Sequence, residues 1–135
     1  MSHGADDAAT VLFSGDLSAA QLGGARRLLT DWATTQGLDD DTVHAIVLSG
    51  YEALANTVEH AYREQTTGPV ELHAHRAGDL VTIVVRDHGR WRPPSTETNL
   101  RGRGLMLIHR LGTHADVHHS PTGTTVTMTW RLTIA

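Results

Sequence analysis

The sequence predicts an α+β domain, a two-layer sandwich in which a mostly antiparallel, mixed sheet is covered on one face by helices. Helical periodicity dominates residues 18–63, alternation with a period of two begins after Pro69, and the predicted strands each carry one polar face. Amphipathic helices and a sheet with one apolar face bury that face against each other. With 135 residues, the chain is expected to form one domain over residues 1–135.

Composition excludes several classes of function. The chain has no cysteine, so disulfides, thiolate metal sites and cysteine nucleophiles are excluded. The polar opening "MSHGADDAAT" and the absence of an apolar run of about 20 residues favour a cytoplasmic protein without membrane contact. The net charge of −4 and the scattered basic residues argue against direct nucleic-acid binding. The chain also lacks lysine, so a nucleotide would have to be held by arginine, backbone amides and a metal.

A strand and a first helix are predicted at the start of the chain. The apolar run "VLFS" at residues 11–14 is expected to start a sheet, and Asp16 or Ser18 to cap a helix over residues 18–35. Gly37 is expected to end that helix. Its inner stripe is expected to comprise Leu22, Ala25, Leu28, Leu29 and Trp32.

A second helix is expected over residues 41–63, after aspartates at 39–41 that offer an N-cap and favourable charge for the helix dipole. Its apolar stripe is expected to comprise Val43, Val47, Tyr51, Leu54, Val58 and Tyr62. Glu52, Asn56 and His60 follow each other at intervals of four beside that stripe. These polar groups are therefore expected at the edge of a cleft.

Two hairpins are predicted in the second half of the chain. The first runs from Pro69 through a turn at "RAGD" into "LVTIVVR", whose continuous apolar character is typical of a central strand. Residues 87–104 are rich in Gly, Pro and Arg and are expected to form a long functional loop. A short helix at about 103–111 and a last hairpin ending in "TTVTMTWRLTI" follow.

Three segments carry candidate chemistry. A carboxylate and an amide oxygen at Glu52 and Asn56 suit Mg²⁺ and an activated water, although surface helices often carry such residues. Asp87, directly after the central strand, can accept a hydrogen bond from an adenine amine, or merely form an Asx-turn. "RGRG" at residues 101–104 can admit phosphate oxygens to backbone N–H groups at a helix start, or be a flexible loop end.

The histidines raise a further alternative. His73 and His75 share a strand face, and with His114, His118 and His119 they offer ligands for zinc or nickel. Alternating histidines on a strand are more often simply solvated.

Taken in order, these motifs resemble the gyrase, heat-shock chaperone, histidine kinase and mismatch-repair ATPase superfamily (GHKL). "EALANTVEHAY" resembles its N box, "DHGRW" its G1 box, "RGRGL" its G2 box, and "GTTVTMTW" the strand that closes the pocket. Within the superfamily, the spacing resembles that of the small bacterial anti-sigma factor serine kinases. The resemblance covers about residues 18–132 and implies the Bergerat-type ATP-binding fold, with ATP and Mg²⁺ as its cofactors.

The resemblance implies a role for each motif residue. Glu52 would be the general base and Asn56 the Mg²⁺ ligand that bridges to the phosphates. Asp87 would bind the adenine amine, Gly89 would let the base pack closely, and residues 90–101 would form the ATP lid. The remaining nucleotide-binding residues would be Arg101, Gly102, Arg103, Gly104 and Leu105 near the phosphates, and Thr125 at the adenine end.

The resemblance also implies partners. The chain is expected to bind a sigma factor and to phosphorylate a serine on an antagonist of the anti-sigma factor, and a homodimer is compatible with this function. His60 is not expected to be a phosphoacceptor, because the chain has no room for the helical hairpin that carries one. The leading alternative is a non-catalytic ATP-binding regulatory module, cut from a larger phosphatase or sensor protein. A histidine-rich metal-binding protein is a third hypothesis.

Overall fold

The computed structural model describes residues 10–60, 68–89, 114–120 and 123–132. Five strands and two helices are present in these ranges. They are β1 (Thr10–Leu17), α1 (Leu22–Thr35), α2 (Asp40–His60), β2 (Gly68–Ala77), β3 (Leu80–Asp87), β4 (His114–Ser120) and β5 (Gly123–Arg131). A 3₁₀ turn, Ala19–Gln21, precedes α1.

The strands form one sheet in the order β1-β2-β3-β5-β4. All four strand pairs among the described residues are antiparallel. The parallel pair that the predicted mixed sheet would include is not among them. The predicted α+β fold class is confirmed. The prediction that "LVTIVVR" forms a central strand is also confirmed, because β3 has two strands on either side of it.

One face of the sheet is buried beneath the helices. Helix α1 contacts β1, and α2 contacts β3 and β5. The apolar residues that β2, β3 and β5 contribute to this face are at most 6% exposed: Val70, Leu72, Ala74, Val81, Ile83, Val85, Val126, Met128 and Trp130. Each large side chain so buried contributes about 1.5–3 kcal/mol to folding relative to an exposed one. The polar residues that alternate with these apolar ones along each strand lie on the other face of the sheet, which we call the open face.

The 3₁₀ turn that precedes α1 begins after Ser18, whose backbone N–H donates to the Gln21 side chain at 2.9 Å. Gly37 adopts φ +72° and its N–H donates to the Thr34 carbonyl at 3.3 Å, so the predicted helix end is confirmed. The predicted inner stripe is wrong at one position: Leu28 is 41% exposed. The fully buried stripe is instead Ala25, Leu29 and Ala33. These residues are spaced four apart and lie on one side of the helix. Leu28, one residue before Leu29, is rotated about 100° around the helix axis from that side.

Helix α2 is capped by Asp39, whose Oδ1 accepts the Thr42 N–H at 2.7 Å. Its buried face includes Ile46, Val47, Ala53 and Leu54, of which only Val47 and Leu54 were among the predicted stripe residues. Val43, Tyr51 and Val58 of that stripe are half-buried, and Tyr62 lies outside the described residues.

Gly50 allows α1 and α2 to cross closely. A Cβ atom at position 50 would overlap Cδ2 of the fully buried Leu29. The Arg26 guanidinium also lies 5.7 Å from the centre of the Tyr51 ring, which connects the same two helices. The helices therefore pack as a pair.

The β2–β3 turn contains Gly78, with φ +62°. The N–H of Leu132 donates to the Asp79 carbonyl at 2.6 Å, and Arg131 approaches the Asp79 carboxylate to 3.3 Å. The turn is thus joined to the end of β5. Among the described helices, none has the length and apolar character needed to cross a bilayer. The predicted helix at 103–111 lies outside the described residues, as does the predicted loop after residue 89.

Candidate functional site

Asp87 is a buried carboxylate at the end of the central strand β3. Strand alternation puts its side chain on the helix-covered face, and only 2% of the residue is exposed. Its Oδ1 accepts hydrogen bonds from two backbone N–H groups, that of Gly89 at 3.0 Å and that of Thr124 at 3.2 Å. Since a buried carboxylate is costly unless it is hydrogen-bonded, these donors hold it in one orientation. The bond to Gly89 has the i, i+2 spacing of an Asx-turn, and the bond to Thr124 adds a contact from a distant strand.

Gly123 brings the start of β5 against the end of β3. It adopts φ +155°, and a Cβ atom there would overlap the Asp87 carbonyl oxygen and lie 3.0 Å from His88 Cα. Any larger residue would push β5 away from Asp87. The motif "GTTVTMTW" includes Gly123, but its pattern did not connect this residue with Asp87. Its position directly before an alternating strand was the available signal.

Thr124, rather than Thr125, lies beside Asp87. Thr124 is 2% exposed, pairs with Asp87 across the two strands, and shares its buried face. Thr125 pairs with Arg86 and His118, is half-buried, and belongs to the open face. The sequence assignment to the adenine end thus falls one residue beyond the threonine that the fold brings to Asp87, because adjacent residues of a strand face opposite ways.

Glu52 and Asn56 lie on α2, one helical turn apart. Both are half-buried, and they are interleaved with the buried Ala53, Leu54 and Thr57. The Thr57 hydroxyl donates to the Ala53 carbonyl at 3.1 Å, within its own helix. Because α2 packs on β3 and β5, the helix that carries the two polar residues contacts both strands of the Asp87 site.

Several predicted site residues lie outside the described part of the chain. They are Arg101, Gly102, Arg103, Gly104 and Leu105, together with the predicted lid at residues 90–101. Asp87, Gly89 and Thr124 form the part of the candidate site for which contacts are described.

A second polar group occupies the open face behind Asp87. We call Glu71, His73, Arg86 and His88 the back-face cluster. Glu71 Oε1 lies 3.0 Å from His73 Nε2, Oε2 lies 3.4 Å from His88 Nε2, and Arg86 Nη1 lies 4.0 Å from Oε1. Hydrogen bonds from His73 and then His88 hold the pKa of the Glu71 carboxyl below its ordinary value. Glu71 and His73 share a face through the alternation of β2, whereas His88 joins them from the end of β3.

The histidines of the sheet form no described metal centre. His73 and His75 lie on one strand face as predicted, and His114 and His118 are exposed. Within the described ranges, no three histidine or acidic side chains are placed to hold a metal ion. The metal-binding hypothesis gains no support from these residues.

Comparison with known protein families gives a match across most of the chain. Residues 16–130 match the family described as the histidine kinase-like ATPase domain. A curated relative, blue-light-activated histidine kinase 2 of Erythrobacter litoralis (strain HTCC2594), is 31% identical over 100 residues. That match covers 70% of this chain but 29% of the relative.

Two solved structures resemble the fold. One holds the RsbU and RsbW domains of Rv1364c from Mycobacterium tuberculosis, with a TM-score of 0.73 and 26% identity. The match covers 93% of this chain and 32% of that one. The other is the histidine kinase domain of the Erythrobacter litoralis EL346 blue-light activated histidine kinase, with a TM-score of 0.59 and 25% identity. Here the match covers 84% of this chain and 60% of that one.

Proposed function

The chain belongs to the family of histidine kinase-like ATPase domains, and we propose that it binds ATP with Mg²⁺ and phosphorylates a serine on a partner protein. The family match and the two structural likenesses confirm the GHKL resemblance. The substrate, the metal and the partners are our proposals.

The orientation of Asp87 is the observation that carries the nucleotide proposal. Its carboxylate is buried and is held by the N–H groups of Gly89 and Thr124. A carboxylate only accepts hydrogen bonds. It therefore suits the exocyclic amine of adenine and opposes guanine, which presents a carbonyl at the same place. We assign Thr124 to the adenine end on the geometry, in place of Thr125, and propose that Gly89 lets the base pack closely.

We propose Asn56 as the Mg²⁺ ligand and Glu52 as the general base. Their oxygen donors suit a hard cation and a proton acceptor, and both groups are half-buried on a helix that contacts the Asp87 strands. When bound, Mg²⁺ supplies positive charge that offsets the charge of the phosphates. The Glu52 carboxylate accepts the proton of the serine hydroxyl as its oxygen bonds to the γ-phosphorus. The bond to the β–γ bridging oxygen breaks, and ADP leaves. Arg101, Gly102, Arg103, Gly104 and Leu105 are proposed to surround the phosphates.

We propose that the partners are a sigma factor, which the chain sequesters, and an antagonist protein that presents the serine. The support is the likeness to a structure that contains an RsbW domain, over 93% of this chain. The chain is proposed to act in the cytoplasm.

A non-catalytic ATP-binding regulatory module is the second candidate. The observation that favours it is that the matches span only part of the related proteins, 29% of the curated relative and 32% of the RsbU and RsbW structure. A domain of a larger phosphatase or sensor protein would give the same short match.

The deciding experiment incubates the chain with γ-labelled ATP and an antagonist candidate encoded by a neighbouring gene. Transfer of label to one serine, lost in Glu52→Gln, supports the kinase. ATP-dependent partner binding with no label after long incubation favours the regulatory module. Label on a histidine of the partner would indicate a sensor-type kinase instead.

A further inference from the structure

The segment from Asp87 to Gly89 is held from both faces of the sheet. On the buried face, Asp87 Oδ1 accepts the N–H groups of Gly89 and Thr124. His88 points to the open face, where its side chain is 45% exposed and its Nε2 lies 3.4 Å from Glu71 Oε2. A displacement of His88 therefore moves both residues proposed to touch the adenine.

Glu71 is itself fixed by its neighbours. It lies directly opposite Arg86 on the adjacent strand, one position from the pair formed by Val70 and Asp87. His73 approaches one carboxylate oxygen to 3.0 Å, and the other oxygen faces His88. Because a carboxylate only accepts, each imidazole contributes an N–H at Nε2 to this arrangement. His73 thus orients the carboxylate that holds His88.

We propose that Glu71 is a positioning residue of the nucleotide site: through His88 it holds the Asp87–Gly89 segment in its base-binding conformation, more strongly when the imidazole is protonated. This inference rests on the proposed function. A hydrogen bond between an imidazolium and a carboxylate is roughly twice as strong as one between neutral groups. Glu71 therefore supports the segment most strongly at low pH, where the contact is charge-assisted.

The other charged groups around His88 and Glu71 come from four strands. Arg86 on β3 lies 4.0 Å from Glu71 and competes for its carboxylate, and His73 on β2 shares it. Asp16 on β1 pairs with Pro69, two residues from Glu71, and His118 on β4 pairs with Thr125, which in turn pairs with Arg86.

The test compares the affinity of the folded chain for Mg·ADP by calorimetry at pH 5.5, 6.5, 7.5 and 8.5, with each variant expressed as a ratio to the parent at the same pH. Because the variant and the parent are compared at the same pH, the effect of ADP protonation on the affinity cancels in this ratio. For a contact exposed to this degree, we expect Glu71→Gln to weaken binding about three- to fivefold at pH 5.5 and only about twofold at pH 8.5. His88→Gln should reproduce the loss at low pH, and adding Glu71→Gln to it should change nothing more. His118→Gln, an exposed histidine on the same face, is the matched control and should stay at the parent value throughout.

A second measurement needs no nucleotide. The backbone amide resonances of Gly89 and Thr124 should shift with pH in the parent, and part of that shift should be lost in Glu71→Gln. A variant-to-parent ratio that is constant with pH, or amides that titrate identically in Glu71→Gln and the parent, would overturn the inference. If the parent fails to bind Mg·ADP but the two amides lose part of their pH response in Glu71→Gln, the positioning role stands and the proposed function falls.

Discussion

Asp87 is the side chain whose replacement best separates nucleotide recognition from folding. Asp87→Asn keeps an oxygen that can accept the N–H groups of Gly89 and Thr124, but it replaces the acceptor proposed for the adenine amine by an amide donor. We expect the fold to persist and Mg·ADP affinity to fall by about 1–3 kcal/mol, or roughly 5- to 150-fold. Calorimetry with ADP measures the loss.

The control for Asp87→Asn compares two nucleotides in the parent chain. In the parent chain, Mg·ATP should raise the melting temperature and Mg·GTP should do little. Equal stabilisation by the two would show that Asp87 does not read the base.

Glu52 separates chemistry from binding. Removing a general base typically slows proton transfer by 10²- to 10⁴-fold, so Glu52→Gln should lower phosphoryl transfer by about that factor and leave ATP affinity nearly unchanged. Asn56→Ala, one helical turn away, should instead weaken Mg²⁺-dependent ATP binding. Transfer rates and calorimetric affinities check both. A proportional loss of affinity and rate in Glu52→Gln would assign Glu52 to ligand binding.

The sequence predicted some residues of the candidate site and missed others for a definite reason. Asp87 and Gly89 were predictable because they follow an apolar strand and precede an irregular segment. The neighbouring threonines were ambiguous, since a one-residue difference in register changes the face of a strand. The contact between Glu71 and His88 joins residues 17 positions apart, and it depends on where the chain turns after β3. A single sequence does not contain that information.

Among the elements, the close junction of β3 and β5 requires a glycine at position 123, because a residue with a side chain does not fit there. Gly123→Ala puts a methyl group onto the backbone of Asp87 and His88. Overpacking costs roughly 1–3 kcal/mol, and the strained backbone angle adds about 1–3 kcal/mol. We expect a loss of unfolding free energy in urea of at least about 2 kcal/mol, accompanied by weaker Mg·ADP binding.

Gly78→Ala is the matched control for that prediction. Gly78 also has a positive φ, +62°, but nothing lies within 4 Å of an added Cβ atom. It should cost about 1–2 kcal/mol through strain alone and leave Mg·ADP affinity unchanged. If both variants lost the same stability and the same affinity, the close contact at Gly123 would be unimportant.

The start of α2 gives a pH-dependent prediction. Its cap is Asp39, and the hydrogen bonds from Thr42 hold the pKa of that carboxyl below its ordinary value. A lowered pKa stabilises the fold above the unfolded-state value of about 3.9, and this stabilisation is lost as the pH falls through the folded-state value. Asp39→Asn keeps a capping oxygen without the charge. Its melting temperature should lie below that of the parent at pH 7, and the difference should narrow by pH 3. A difference that is unchanged by pH would refute the role of the charge.

The elements were predicted more accurately than their orientations. Both helices and five strands followed from periodicity and from turn residues such as Gly37. The error at Leu28 arose because Leu28 and Leu29 are adjacent and equally apolar, so the pattern did not decide which of them faces the sheet. Packing decided it, since Leu29 occupies the space left by Gly50 on the neighbouring helix.

For the molecule as a whole, composition and periodicity predicted the two layers but not the strand order. Sequential hairpins are the simplest arrangement, yet β5 lies between β3 and β4. The β3–β5 pair joins positions as far apart as Leu80 and Arg131. No local pattern encodes such a pairing, because it depends on the burial of both strands beneath α2.

That strand order has a consequence for the kinetics of folding. The hairpins β2–β3 and β4–β5 are local, whereas closing β3 onto β5 brings Asp87 to Thr124 across 37 positions. Contacts of long sequence separation form slowly because loop closure costs entropy before packing compensates it. Asp87 and Thr124 are thus separated until the two hairpins join. A ligand that contacts both residues would therefore stabilise the joined β2–β3 and β4–β5 hairpins. Mg·ADP should accordingly slow unfolding in a denaturant jump and leave the refolding rate of the unliganded chain as it was.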